Sequence, residues 1–165
     1  MNLLPFLTLQ SRNDEHFSWS RRYYSKGGFW LDITDDAIDQ ALLAAGSGPN
    51  PDCEIFAIQL GGAVGDSAED ATAYSGRSAS YYWIAEPVWD AVADDERCIA
   101  WGRATGQSLS SNAINGNYVN EQADTGIGVA LEAYGKSKYE RLARLKTRFD
   151  PANLFRLNQN IRPLA

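Results

Sequence analysis

The five residues from Asn117 to Glu121 bring a phenol, a carboxamide and a carboxylate close together in the chain. The pattern predicts a short strand from Asn117 to Asn120, which carries Tyr118 and ends at Glu121. A glutamate can accept a proton near neutral pH when burial raises its pKa, so Glu121 is a candidate general base. The alternative is that Glu121 is a solvent-facing carboxylate at the end of a strand.

Another carboxylate, that of Asp66, lies between a glycine and a serine in a predicted loop. The same short sequence also suits an Asx turn with no catalytic role. Near the C-terminus, Asn158, Gln159 and Asn160 form a run of amide side chains. These amides can bond a ligand carbonyl, or they can cap the local backbone.

The run from Tyr81 to Trp89 is strongly aromatic and predicts a strand. Alternation sends Tyr81 and Trp83 to one face, and Tyr82 and Ile84 to the other. Because aromatic residues occupy both faces, neither face is expected to be simply solvated. One face would then belong to the core. The other would be either a dimer contact or the wall of a cleft for an apolar ligand.

Metal chemistry is not predicted, because one histidine and two widely separated cysteines do not supply the usual metal sites. A Ser-His-Asp triad would have to use His16, near a terminus, and we reject it on that ground. Both cysteines are expected to be reduced and buried, although a single bridge between them is the alternative.

The elements that must position these residues follow from periodicity, capping residues and breakers. Strands are predicted over residues 20–30 and 53–60, in addition to the aromatic strand. A first helix is capped by Thr34 or Asp35 and ended by Gly46, and a second runs from 94–96 to Leu109. After a turn at 115–116, a third helix covers 132–148 with a break at Gly135. Asp150 is expected to cap a further helix that begins at Pro151. The order predicts an α+β fold: a mostly antiparallel sheet with helices on one face and an open face for a ligand or a second copy.

Length, charge and hydropathy limit the number of domains, the partners and the location that we expect for this chain. The 165 residues suffice for one domain, and 21 acidic against 15 basic residues give a net charge of −6. Nucleic-acid binders normally carry a basic stripe, so neither nucleic acid nor an anionic membrane is an expected partner. The N-terminus lacks the features of a signal peptide, and we find no apolar run of bilayer length. A cytoplasmic location is expected.

The last thirty residues carry a distinctive pattern. Tyr139 begins the sequence Y-x-x-L-x-x-x-K, Asp150 begins D-P-x-N-x-F, and Asn158 begins N-Q-x-I-x-P. This ending resembles the C-terminus of berberine-bridge-type FAD-linked oxidases. The likeness extends upstream, where further segments follow in the family's order. These are a segment that starts at Arg21, the Gly-Gly turn at Gly61 with the residues after it, and residues 117–120.

The resemblance implies the substrate-binding part of such an oxidase. Residues 1–19 are then an N-terminal extension, and residues 20–165 form a single berberine-bridge-like substrate domain. In the family, residues 117–120 correspond to a strand that faces the flavin. The family often has a tyrosine where this chain has Glu121, sometimes as a base, and some members place an acidic base where Asp66 stands. The predicted sites are therefore catalytic Glu121, Tyr118 and Asp66, and substrate-binding Asn120, Asn158 and Gln159. Tyr81 and Trp83 are added to the substrate-binding residues from the aromatic strand.

Three functions follow from this resemblance. We find no segment typical of FAD binding, so the chain alone is expected to hold no cofactor, with FAD present only if a partner chain supplies its binding domain. The favoured hypothesis is a cofactor-independent cyclase or isomerase that acts on an apolar, carbonyl-bearing natural product such as a polyketide. The alternatives are a subunit or fragment of a split FAD-dependent oxidoreductase, and a non-catalytic dimerisation module. A homodimer that buries part of the aromatic face is also expected.

Overall fold

The computed structural model describes residues 3–164. Its regular elements, in chain order, are α1 (Phe6–Gln10), β1 (Arg22–Tyr23), β2 (Lys26–Trp30), α2 (Asp35–Gly46), β3 (Cys53–Gln59), β4 (Tyr81–Trp89), α3 (Asp95–Leu109) and α4 (Ile127–Phe149). The predicted α+β class is confirmed. None of the helices within residues 3–164 combines the length and the apolar character needed to cross a membrane.

The sheet is antiparallel, and the aromatic strand β4 runs through its middle. Strand β3 pairs along one side of β4, and strands β2 and β1 pair along the other. The glycines of β2 make room for large rings, since a Cβ atom on Gly28 would lie 2.8 Å from the indole of Trp83. These glycines therefore allow close packing between neighbouring strands rather than loosening the strand.

The two faces of β4 separate as alternation predicts. Trp83 packs on the side of α2 and α3, together with Trp30 and Leu109. Tyr82 and Ile84 pack on the opposite side. Loop segments of the chain contribute to this second layer, so the aromatic face of β4 is buried in part by the chain itself.

Helix α2 begins where its sequence predicts. The Thr34 hydroxyl accepts a hydrogen bond from the Ala37 N–H at 3.1 Å, which satisfies one of the free donors at the helix start. The predicted break in α4 is confirmed at Gly135, where the backbone leaves helical geometry. Helix α4 itself begins five residues earlier than predicted, at Ile127.

Two predicted elements are wrong. Residues 117–120 do not form a strand; the chain instead turns through a short 3-10 helix, Val119–Glu121, closed by a bond from the Glu121 N–H to the Tyr118 carbonyl. No helix begins at Pro151. The Asp150 carboxylate accepts the N–H groups of Leu154 and Phe155, and these bonds hold a turn rather than a first helical turn.

Candidate functional site

The 3-10 turn Val119–Glu121 holds the polar residues that the sequence singled out. The Asn120 amide donates a hydrogen bond to the Tyr118 phenol oxygen at 2.8 Å. Since that bond uses a lone pair of the oxygen, the phenol O–H remains available as a donor. Tyr118 is half-buried and Asn120 is exposed. The pair therefore presents a donor at the surface beside the sheet.

An aromatic cluster packs beneath this turn. The Tyr118 ring lies 6.1 Å from the Tyr82 ring in an edge-on arrangement and 6.0 Å from the Tyr74 ring. Phe29 completes the cluster, 5.0 Å from Tyr82. Such tilted and edge-on pairs are favourable geometries for aromatic rings. The turn therefore packs on an apolar layer formed by these rings.

Glu121 lies half-buried at the edge of this cluster. Burial, with a smaller contribution from the negative charge of Glu86, raises the pKa of Glu121. Burial, and then the nearby Glu121 carboxylate, raises the pKa of Tyr82. Glu86 in turn accepts a hydrogen bond from the Ser25 hydroxyl at 2.7 Å. Glu121 has the environment that a carboxylate needs to accept a proton closer to neutral pH.

The C-terminal amides return to the same region. The Gln159 amide donates to the carbonyl oxygens of Asp124 at 2.7 Å and Gln122 at 3.3 Å, which ties the chain end to the segment after the turn. An open cleft of about 560 Å³ lies between these segments. It is lined by Val119, Asn120, Gln122, Ala123, Thr125, Tyr134, Leu157, Asn158 and Gln159.

The acceptor oxygen of Gln159 has no hydrogen-bond partner among the described residues, although it is buried. The Oδ1 atom of the neighbouring Asn160 is in the same state. Buried polar atoms are normally paired, so these two oxygens have bonding capacity that no group among the described residues uses. Asn158 is exposed and has a left-handed backbone with φ of 58°.

Asp66 lies apart from this group, on an exposed loop. Its neighbours Gly65 and Ser67 line a second open cleft of about 640 Å³, and Tyr134 lines both clefts. Polar side chains organise the loop: the amine of the half-buried Lys138, on α4, donates to Glu69 at 2.5 Å and to the Tyr74 carbonyl at 2.8 Å. The structure therefore does not bring Asp66 together with Glu121 in one cleft.

Tyr81 and Trp83 lie on the helix side of the sheet. Trp83 is 1% exposed and packs in the core with Trp30. Tyr81 is half-buried and packs against the same core. Their placement separates them from the turn at Val119–Glu121, because alternation points them through the opposite face. The neighbour Tyr82 contacts the turn instead, and strand alternation was the signal that could have selected it.

The N-termini of α2 and α3 and the glycine-rich loop do not suit the diphosphate of FAD. The two helices begin with acids, Asp35 and Asp36 in α2 and Asp95 and Glu96 in α3. Acidic side chains at that end oppose a bound phosphate. The first turn of α4 is uncharged. In the glycine-rich loop, the N–H groups of Val64 and Gly65 already bond local carbonyls.

Comparison with known proteins identifies the family to which the chain is related. Residues 117–162 match the family described as berberine and berberine like. An FAD-linked oxidoreductase of Dictyostelium discoideum is 28% identical over 99% of the chain, which corresponds to 36% of that protein. The uncharacterized FAD-linked oxidoreductase YgaK of Bacillus subtilis is 34% identical over 70% of the chain and 25% of its own length. The chain belongs to the berberine-bridge-like FAD-linked oxidoreductases.

Solved structures agree with this berberine-bridge-like assignment at the level of fold. CrmK, a flavoenzyme of caerulomycin biosynthesis, superposes with a TM-score of 0.78 at 22% identity, over 98% of this chain and 37% of CrmK. Berberine bridge enzyme from Eschscholzia californica gives a TM-score of 0.75 at 20% identity, over 95% of this chain and 36% of that enzyme. The chain therefore spans about a third of the length of these berberine-bridge-like proteins.

The family match and the site geometry coincide. The matched region 117–162 contains five of the eight predicted site residues, namely Tyr118, Asn120, Glu121, Asn158 and Gln159. These residues lie on two segments that Gln159 joins by hydrogen bonds. Asp66, Tyr81 and Trp83 fall outside the matched region.

Proposed function

We propose that this chain forms the substrate side of a berberine-bridge-like oxidoreductase active site, with FAD held by protein that lies outside the described residues. The observation that carries the proposal is that three site residues inside the family match, Asn120, Asn158 and Gln159, line one cleft, while Tyr118 and Glu121 lie on the turn beside it. The poor fit of the FAD diphosphate agrees with a cofactor that is bound elsewhere.

In this function each residue of the turn has a distinct task. The Tyr118 O–H donates a hydrogen bond to a substrate oxygen, and the Asn120 amide fixes the phenol in place through its oxygen. Glu121 accepts a proton from the substrate, because its half-buried carboxylate binds a proton more readily than a solvated one. The chemistry supplied by bound FAD would be acceptance of electrons from the substrate.

The substrate class that we propose is a natural product. Two structural neighbours bear names that point to such molecules: CrmK, involved in caerulomycin biosynthesis, and an aclacinomycin oxidoreductase. The half-buried rings of Tyr118, on the turn, and Tyr134, in the cleft, support an apolar ring system, and the unpaired amide oxygen of Gln159 supports a substrate with hydroxyl or N–H donors.

A second candidate function is a cofactor-independent cyclase or isomerase of a carbonyl-bearing polyketide. The poor fit of the FAD diphosphate favours this candidate, together with the nearby phenol and raised-pKa carboxylate. Cyclisation without a cofactor relies on holding the substrate in a reactive shape, and this requires an enclosing site. Both clefts near the turn are open to solvent, so we place this candidate second.

The purified chain and a chimera distinguish the two candidates. In the chimera, this chain replaces the aligned part of the Dictyostelium discoideum relative. We expect the chain alone to be colourless and to take up no FAD in equilibrium dialysis, and the chimera to purify with bound flavin. Glu121→Gln in the chimera should leave the flavin content unchanged and slow substrate-dependent flavin reduction by roughly 100-fold, the lower range for loss of a general base. Glu140→Gln, an exposed carboxylate on α4, is the matched control.

Two results would contradict the oxidoreductase proposal. One is tight FAD binding by the isolated chain, which would show that the diphosphate is held by the described residues. The other is conversion of a polyketide by the isolated colourless chain, which would establish the cyclase instead.

A further inference from the structure

The chain covers one edge of the sheet, along β2, and leaves the other edge, along β3, open. Along β2, the outward carbonyl oxygens are occupied: Ser25 accepts from the Ala123 N–H at 3.0 Å, Gly27 from the Gln122 amide at 2.9 Å, and Phe29 from the Ile114 N–H at 2.9 Å. The segment from Ile114 to Ala123 therefore closes this edge. Two backbone N–H groups and one side-chain amide of this segment thus supply the partners that an edge strand otherwise lacks.

The opposite edge, β3, is open. Within residues 3–164, β3 pairs only with β4, and no hydrogen bond joins the backbone of Glu54 to Ile58 with another segment. The strand contains no lysine and no proline, and Glu54 is its one charged residue. Ile58 is 47% exposed. Natural proteins usually protect a long edge strand with lysine, proline or other charged residues, or with a covering segment. Because β3 has little of this protection, its edge is suited to pair with another strand.

An apolar groove runs beside the same edge. It lies between α2 and β3, has a volume of about 280 Å³, and is lined on the helix side by Ile38 and Leu42 and on the strand side by Ile55 and Ala57. Leu42 is 66% exposed. The helix layer and the sheet layer are thus both unpartnered at the same border of the molecule.

We propose that a second copy of this chain binds here, through antiparallel pairing of the two β3 strands about a two-fold axis at Phe56. In this register Glu54 faces Ile58 of the second copy, and Ile55 faces Ala57 of the second copy. No like charges are opposed, and the pairs across the axis are apolar or mixed. The strand is therefore complementary to itself, as an isologous interface requires.

The helix layer supports the same occupant. Ile55 packs against the core on the α2 side of the sheet, so strand pairing places the two apolar grooves next to each other. Leu42 of each copy then lies at the contact between the two α2 helices. One two-fold contact extends the sheet and covers the exposed face of α2 at once. This interface differs from the aromatic face of β4 that the sequence suggested, because β4 is central and its rings are covered.

The oligomeric state of the full chain tests the proposal. We expect light scattering and sedimentation at micromolar concentration to give twice the chain mass. Ile58→Lys and Leu42→Glu should each weaken association at least tenfold while circular dichroism stays unchanged. Val92→Lys is the matched control, since Val92 is 70% exposed and lies outside α2 and β3. A monomeric wild-type chain, or a dimer that neither Ile58→Lys nor Leu42→Glu weakens, would overturn the proposal.

Cross-linking tests the register. In a Cys53→Ser background, a mixture of Glu54→Cys and Ile58→Cys chains should form a disulfide-linked dimer under mild oxidation, because these positions face each other. Glu54→Cys chains alone should not. Equal cross-linking of the mixture and of the single variant would overturn the proposed register.

Discussion

At the scale of single residues, two neighbours on the same turn can have different environments. Asn120 is exposed, while Glu121, its neighbour in sequence, is half-buried against the aromatic cluster near Glu86. Burial disfavours the charged form of a carboxylate, and a second negative charge adds to the effect. The same feature that makes Glu121 a candidate base should therefore lower the stability of the folded chain.

Substitution of Glu121 by glutamine should reveal this effect as a pH-dependent gain in stability. Since the pKa of Glu121 is raised by folding, the unfavourable charge is absent below the ordinary glutamate pKa of about 4.3 and develops as the pH rises above it. We expect Glu121→Gln to raise the free energy of unfolding at pH 7 by up to about 1 kcal/mol, with solvent screening limiting the gain.

Urea denaturation at pH 7 and at pH 4 measures this difference. The gain should be present at pH 7 and nearly absent at pH 4, because pH 4 lies below the ordinary glutamate pKa. Glu140→Gln should show no gain at either pH. An equal effect of Glu121→Gln at both pH values would remove charge as its cause.

At the scale of elements, α4 depends on one glycine to change direction. Gly135 has φ of 69° and ψ of 162°, a backbone region that is almost confined to glycine. A Cβ atom there would meet nothing within 4 Å, so only the backbone geometry opposes a side chain. The second part of α4 then carries Lys138 to the loop that follows the Gly-Gly turn.

Two alanine substitutions in α4 should have opposite signs. Gly135→Ala should destabilise the protein by about 1–3 kcal/mol through backbone strain. Gly128→Ala is the matched control: it also has open space around it but lies within the first turns of the helix, and it should stabilise by up to about 1 kcal/mol. Thermal unfolding monitored by circular dichroism compares the two variants, and a neutral Gly135→Ala would contradict the proposed strain.

At the scale of the whole molecule, Asp124 joins distant parts of the chain. Its carboxylate bonds Lys26 and Tyr24 at 2.8 Å and Arg103 at 3.0 Å, which connects the sheet to α3. Partial burial alone would raise the pKa of Asp124, but the hydrogen bonds from Lys26, Tyr24 and Arg103 together lower it to about 2. Burial, and then the bond to Asp124, raises the pKa of Tyr24 to about 12.

Asp124→Asn should therefore weaken the entire fold rather than one segment. A lowered carboxylate pKa contributes stability that is present above the ordinary aspartate pKa and is lost as the pH falls towards 2. We expect a loss of about 1 kcal/mol at pH 7, after allowance for solvent screening. The deficit relative to wild type should shrink steadily as the pH falls from the ordinary aspartate pKa of about 3.9 through the lowered pKa of about 2. An unchanged free energy of unfolding at pH 7 would contradict this role.

Much of the secondary structure follows from the sequence because its signals are local. Thr34 caps α2 through its own hydroxyl, Gly135 breaks α4 through its own backbone, and alternation along β4 sends Trp83 and Tyr82 to opposite faces. The residues inside the family pattern, from Tyr118 to Gln159, were also identifiable as a group, since their order and spacing carry the resemblance.

Only the tertiary structure decided which of these residues meet. The segment at Asn117 has the composition of a strand, but Ala123 and Ile114 bond the edge of β2, and the chain between them turns instead. The same packing half-buries Glu121, keeps Asp66 apart on an exposed loop and leaves the outer edge of β3 unpaired within residues 3–164. The sequence by itself determined the local elements and the ancestry, because capping, alternation and motif spacing act over a few residues. Burial, pairing at an edge and convergence in a cleft depend on segments far apart in the chain, so folding alone decides them.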